Sequence, residues 1–182
     1  AISKFFYLDG MYIKGDEPFM LFYCQQPLSN VMKIVYSGSE PNPPLIFLIL
    51  HYWIEVFGIS VLAAKSLPIL ISLFTNFFVL LIGKRLSNIW MAIFVLILFN
   101  LSHLHFEISQ EIKGFGLTLM LTIGSFYFYF SYIKTSKSIF LIPLILFNAA
   151  LPYTHYNAAL VPLFQFFTYF FFLKEKLHLI KW

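Results

Sequence analysis

Apolar residues in this chain come in long runs, not in an alternating or amphipathic rhythm. Runs at 61–83, 112–133 and 156–173 reach the roughly 17–25 residues that carry a helix across a hydrocarbon core. Runs at 89–101 and 139–151 approach that length once their polar flanks are added. A shorter run, 45–57, is broken by His51 and Glu55 and ends at Gly58. The first 44 residues are the least apolar. They hold Asp9, Asp16, Glu17 and Glu40, then the turn-forming run Ser37-Gly38-Ser39-Glu40-Pro41-Asn42-Pro43-Pro44. Between the acids and that turn, 18–24 and 28–36 are expected as short helices on a membrane surface.

The basic residues orient these runs. Lys84-Arg85, Lys134 with Lys137, and Lys174, Lys176 and Lys181 fall in alternate gaps, which the positive-inside rule makes cytoplasmic. The gaps at 102–111 and 152–155 then face outward. If 45–57 crosses, Asp16-Glu17 lies opposite Glu111; if it is juxtamembrane or re-entrant, all three acids face outward together. Its shortness and its Glu55 favour the second arrangement. The expected fold is therefore all-α, a polytopic transmembrane helical bundle with juxtamembrane helices in the first outer loop. Residues 1–60 form that loop, and the spans fall near 61–83, 87–104, 111–133, 138–152 and 156–173.

Composition agrees: the chain is 60% hydrophobic and 11% charged, against about 25% charged in a soluble domain. The net charge of +4 is scattered over loop ends and makes no nucleic-acid footprint. A single cysteine, Cys24, excludes an internal disulfide and a multi-cysteine zinc site. The chain begins at Ala1 without a signal-peptide pattern and reads as a fragment of a larger membrane domain, lacking an upstream helix.

Asp16-Glu17 are adjacent carboxylates beside hydrocarbon. Such a pair can hold a hard divalent cation, or one member can act as a general base. The same residues, followed by Pro18, also make an ordinary helix start. Glu111 and Lys113 stand at the mouth of the 112–133 run, where a phosphate could meet Lys113 and the helix amides. His103 and His105 are two apart, not the i, i+4 spacing of a helical zinc pair, and read as interfacial. His155 lies in an outer turn.

The order of these motifs resembles the bacterial relatives of dolichyl-phosphate-mannose protein mannosyltransferases, including the lipid A aminoarabinose transferases. Asp16-Glu17 resembles their acidic pair in the first outer loop. Asn42-Pro43-Pro44-Leu45, then Leu50-His51-Tyr52-Trp53, resembles their His-Pro-Pro-Leu helix start. Phe57-Gly58 through Ala64-Lys65-Ser66-Leu67-Pro68, Gly83-Lys84-Arg85-Leu86, Ser109-Gln110-Glu111 with Lys113, and Pro152-Tyr153-Thr154-His155-Tyr156 follow in family order. The likeness runs from Asp16 to about Phe167. Asn42 departs from the usual His, and Lys113 from the usual Arg.

The resemblance implies a GT-C fold in a plasma (inner) membrane, with a multi-pass chain and an extracytoplasmic active face. It implies transfer of a sugar from a polyprenyl-phosphate donor to a lipid, protein or polysaccharide acceptor. Asp16 and Glu17 would be catalytic. Lys113, Glu111 and Asn42 would bind the donor phosphate. A divalent metal cation at Asp16, Glu17, Glu111 and His155 is the one cofactor expected; membrane lipids are the other partners, and no nucleic acid is. A transporter or channel subunit, or a non-catalytic membrane partner, is the alternative. A transporter would put ionisable residues midway along broken helices, and only Glu55 and Lys65 approach that here.

Overall fold

The computed structural model describes residues 13, 15–38 and 42–173, which are all-helical with no strand among them. Asp9, Glu40 and the basic residues 174, 176 and 181 lie outside the described residues.

Two short helices come first, α1 (Glu17–Cys24) and α2 (Leu28–Tyr36), followed by α3 (Leu45–Phe57). Pro18 sits in the first turn of α1, where its missing N–H costs nothing. Gly58 stops α3 at φ +83°, a conformation that favours glycine. The long helix α4 (Val61–Leu86) begins where the Ser60 hydroxyl accepts from the Ala63 N–H at 3.1 Å. α5 (Ile89–Leu101) begins in the same way, with the Asn88 side-chain Oδ1 accepting from the Met91 N–H at 3.0 Å. After the short α6 (His103–Ile108) come α7 (Gly114–Thr135), α8 (Leu141–Ala150) and α9 (Leu160–Phe167). Short 3-10 turns flank α8 and precede α9, and a π-helical stretch, Thr168–Leu173, continues α9.

Among the described residues, only α4 and α7 are long and apolar enough, by length and composition, to cross a membrane. The other expected spans are shorter or interrupted: α5 has 13 residues, α8 has 10 and α9 has 8.

α4 and α7 run parallel. Lys65 near the start of α4 reaches the Gln110 carbonyl just before α7, and Arg85 near the end of α4 donates to the Ser131 carbonyl at 3.2 Å. α5 returns antiparallel against α4. Asn76 and Asn100 exchange amide hydrogen bonds of 3.2 and 3.0 Å, and Gly83 admits Ala92 so closely that a Cβ there would meet the Ala92 Cα at 2.8 Å. This is the small-residue contact that lets apolar helices approach. α8 is antiparallel and α9 parallel to α7. A closed ring joins them: Ser125 donates to Asn148 at 2.6 Å, Asn148 to Gln165 at 2.9 Å, and Gln165 to Ser125 at 2.8 Å.

The outer faces are as apolar as the inner. Ala92 is the sole buried residue of α5, while Trp90, Phe94, Ile97, Leu98 and Leu101 are exposed. An apolar exterior around polar cross-links is the reverse of a soluble helix, which shows a polar outer face.

The helices thus share two unlike ends. One carries Lys84, Arg85, Lys134 and Lys137. The other carries the starts of α4 and α7, the 109–113 loop and the 151–156 turn. α3 stays at that second end. Its start packs near Gly114 through Ile46, and its Trp53 indole donates to the Ala63 carbonyl at 2.8 Å. α1–α3 form a cap there, with a core of Met20, Leu21, Cys24, Val31, Phe47 and Leu50 that continues into Ala64, Leu67 and Ile112.

Candidate functional site

Charged side chains converge where the cap meets the starts of α4 and α7. Glu17, in the first turn of α1, is 0% exposed, and Lys65, one turn into α4, is 2% exposed. The Lys65 ammonium donates to both carboxylate oxygens, at 2.6 and 2.7 Å, and to the Gln110 carbonyl at 2.9 Å. Glu17 Oε1 also accepts from the Ile112 N–H at 2.8 Å. One ion pair therefore ties together three segments that are 45 to 95 residues apart in the chain. A buried charge pair is tolerated when further hydrogen bonds satisfy its remaining valences, as they do here.

Neighbours of this lock form the polar surface beside it. Asp16 precedes Glu17, and Glu111 and Lys113 flank Ile112. Lys113 Nζ lies 3.0 Å from Glu111 Oε1 and 3.5 Å from Asp16 Oδ2. The hydrogen bond to Glu111 holds the Lys113 ammonium above the ordinary lysine value, outweighing a lowering by partial burial; the Asp16 charge adds to the rise. Asp16 is 79% exposed, so its carboxylate stays open to solvent. Beneath Glu111 and Lys113, the crevice walled by Ile46, Leu67, Pro68, Ile71 and Gly116 leaves no room for a water molecule. A ligand would reach the cluster from its outer side.

His155 is near this cluster but makes no ion pair with it. It lies in the 151–156 turn beside α7; its ring is 5.9 Å from that of Phe115. The turn is pinned by Thr118, whose hydroxyl donates to Thr154 Oγ1 at 2.9 Å. Asn42 is half-buried just ahead of α3.

The donor set does not suit a resident cation. Glu17 is engaged by Lys65 and the Ile112 amide, and the ammonium of Lys113 occupies the place between Asp16 and Glu111 that a divalent ion would take. Among the described residues no group of three or more His, Cys, Asp or Glu side chains converges. Glu17, moreover, cannot receive a substrate proton without first leaving Lys65.

Lys65 was not among the expected site residues. Its signal was present all the same: a lysine inside an apolar run requires an anionic partner, and few acids lie in the chain.

No family model, curated protein or solved structure matches the chain.

Proposed function

We propose that this chain is part of a polytopic membrane glycosyltransferase of GT-C type, which moves a sugar from a polyprenyl-phosphate donor to an acceptor hydroxyl at the outer face of a plasma membrane. The observation that carries the reading is the meeting of Asp16, Glu111 and Lys113 at one end of an apolar helical bundle whose opposite end is basic. Placing Lys84, Arg85, Lys134 and Lys137 in the cytoplasm puts the cluster outside. The position of α3 supports its reading as juxtamembrane, since both its start and its Trp53 pack at the cluster's end.

In this scheme the exposed carboxylate of Asp16 takes the proton of the acceptor hydroxyl. The acceptor oxygen bonds to the anomeric carbon, and the carbon–oxygen bond to phosphate breaks. The phosphate departs with the bonding electrons, and Lys113 stabilises the charge that develops on it. Glu111 holds the ammonium in place. Glu17 and Lys65 hold the loops and touch no substrate. No step requires a metal.

Asp16→Asn in the full-length protein tests the assignment, with polyprenyl-phosphate sugars as donors and Lys113→Met as the companion. Both should lose most transfer at normal expression. Near-wild-type transfer by Asp16→Asn removes Asp16 from the chemistry. Failure of the wild type to bind any polyprenyl-phosphate sugar removes the glycosyltransferase reading itself.

A further inference from the structure

A second polar constellation lies on the other side of the cap. At the turn between α1 and α2, residues Cys24, Gln25, Gln26 and Pro27 face His51, Ile54 and Glu55 of α3 across a cavity of about 460 Å³. His51 is 7% exposed and Glu55, one turn on, is 59% exposed.

The imidazole is fixed in orientation. His51 Nδ1 lies 2.8 Å from the Cys24 carbonyl oxygen. A carbonyl only accepts, so Nδ1 carries the hydrogen. In the neutral ring Nε2 then presents its lone pair. It lies 3.4 Å from Glu55 Oε1. That separation is long for a hydrogen bond, yet it fits a chelate: arms of about 2.0–2.2 Å at a tetrahedral angle put the two ligand atoms ~3.4 Å apart. Histidines that bind metals nearly always donate their other ring N–H to a carboxylate or a backbone carbonyl, and the Cys24 carbonyl fills that role.

We propose that His51 Nε2 and Glu55 chelate a divalent transition-metal ion of the zinc class at the mouth of this cavity. Two protein ligands, one fewer than a catalytic zinc keeps, leave positions open to water or a bound ligand in the space lined by Gln25 and Gln26. The ion is exchangeable. Imidazole selects zinc, nickel or copper over magnesium. Cys24 does not join the set, because its thiol is buried and donates to the Phe47 carbonyl at 3.6 Å.

The chain contains its own control. His103 and Glu107 have the same i, i+4 spacing, with Nδ1 3.7 Å from Oε2, but the histidine is fully on the surface. That pair has neither the fixed ring nor the cavity.

Titration calorimetry of the full chain in detergent micelles, with zinc chloride as the probe, decides the matter. Wild type should show a zinc site that Glu55→Gln and His51→Gln each weaken at least about tenfold, the scale on which even an outer-shell partner acts. His103→Gln should bind as wild type does, and magnesium should give no heat at the site. Glu55 is largely exposed, so Glu55→Gln should melt like wild type without metal even where His51→Gln does not. Unchanged zinc affinity in Glu55→Gln, or no zinc site in the wild type, overturns the proposal.

Discussion

Replacing Lys65 by Met leaves the Glu17 carboxylate in place, with no solvent contact and without the ammonium that holds both its oxygens at 2.6 and 2.7 Å. The Ile112 N–H remains at 2.8 Å, but an amide hydrogen bond does not neutralise a charge. Removing one member of a buried ion pair costs about 3–5 kcal/mol. For a chain of this length each kcal/mol shifts the melting midpoint by about 2–4 °C, so the expected loss is on the order of 10 °C. Thermal unfolding in detergent, followed by circular dichroism, reads it directly.

The double replacement Lys65→Met with Glu17→Met separates charge from packing. It removes both charges and keeps similar volumes. What remains unsatisfied is the Ile112 N–H and the Gln110 carbonyl, each costing about 1–3 kcal/mol. Together these come to about 2–6 kcal/mol, against about 6–10 for two additive singles, so the double variant should lose much less than their sum. The coupling should be about 3 kcal/mol, the upper end for residues in contact. A Lys65→Met protein that melts with wild type, or a double variant whose loss is the sum of the two singles, refutes the buried lock.

Two glycines give opposite signs. Gly83→Ala drives a Cβ to 2.8 Å from the Ala92 Cα, a backbone atom that cannot move aside without parting α4 from α5. It should cost about 1–3 kcal/mol in the same melt. Gly116→Ala meets nothing closer than 3.5 Å and should be neutral or stabilising, by up to about 1 kcal/mol. Cys24 is buried, and burial pushes its thiol up to about 12 from 9.0. The folded protein should resist maleimide labelling until denatured, as mass spectrometry can score. A raised thiol value means that the unfolded chain loses its proton first. This contribution to stability is complete below pH 9 and falls as pH rises from 9.0 towards 12.

What the sequence shows and what it conceals divides along the range of the interactions. Run length alone locates 61–83, and the structure extends it only to Leu86, because three more residues continue the helix before Ser87 ends it. The bounds 28–36 and 45–57 recur unchanged as α2 and α3, since Pro27 and Pro44 precede one end and Gly58 follows the other. Proline and glycine act on their immediate neighbours, so their effects are readable locally. The runs 139–151 and 156–173 read as continuous but break into α-helical and 3-10 pieces near Pro143, Pro152 and Pro162, and into a π-helical piece from Thr168, where hydropathy is blind to the backbone. Charge alternation sets the end that carries Glu111, and the shortness of 45–57 with its Glu55 puts Asp16 there too, where Lys113 joins them. The partner of Lys65 could not be read in the same way. Glu17 is 48 residues distant, and whether a carboxylate opens a helix, meets a substrate or neutralises a buried lysine depends on what the folded chain places opposite it. Asp16 and Glu17 are adjacent in sequence and alike in chemistry, yet the first turn of α1 sends one outward to Lys113 and the other inward to Lys65. The helical period separates an exposed acid that can meet a ligand from a buried one that holds the loops around it.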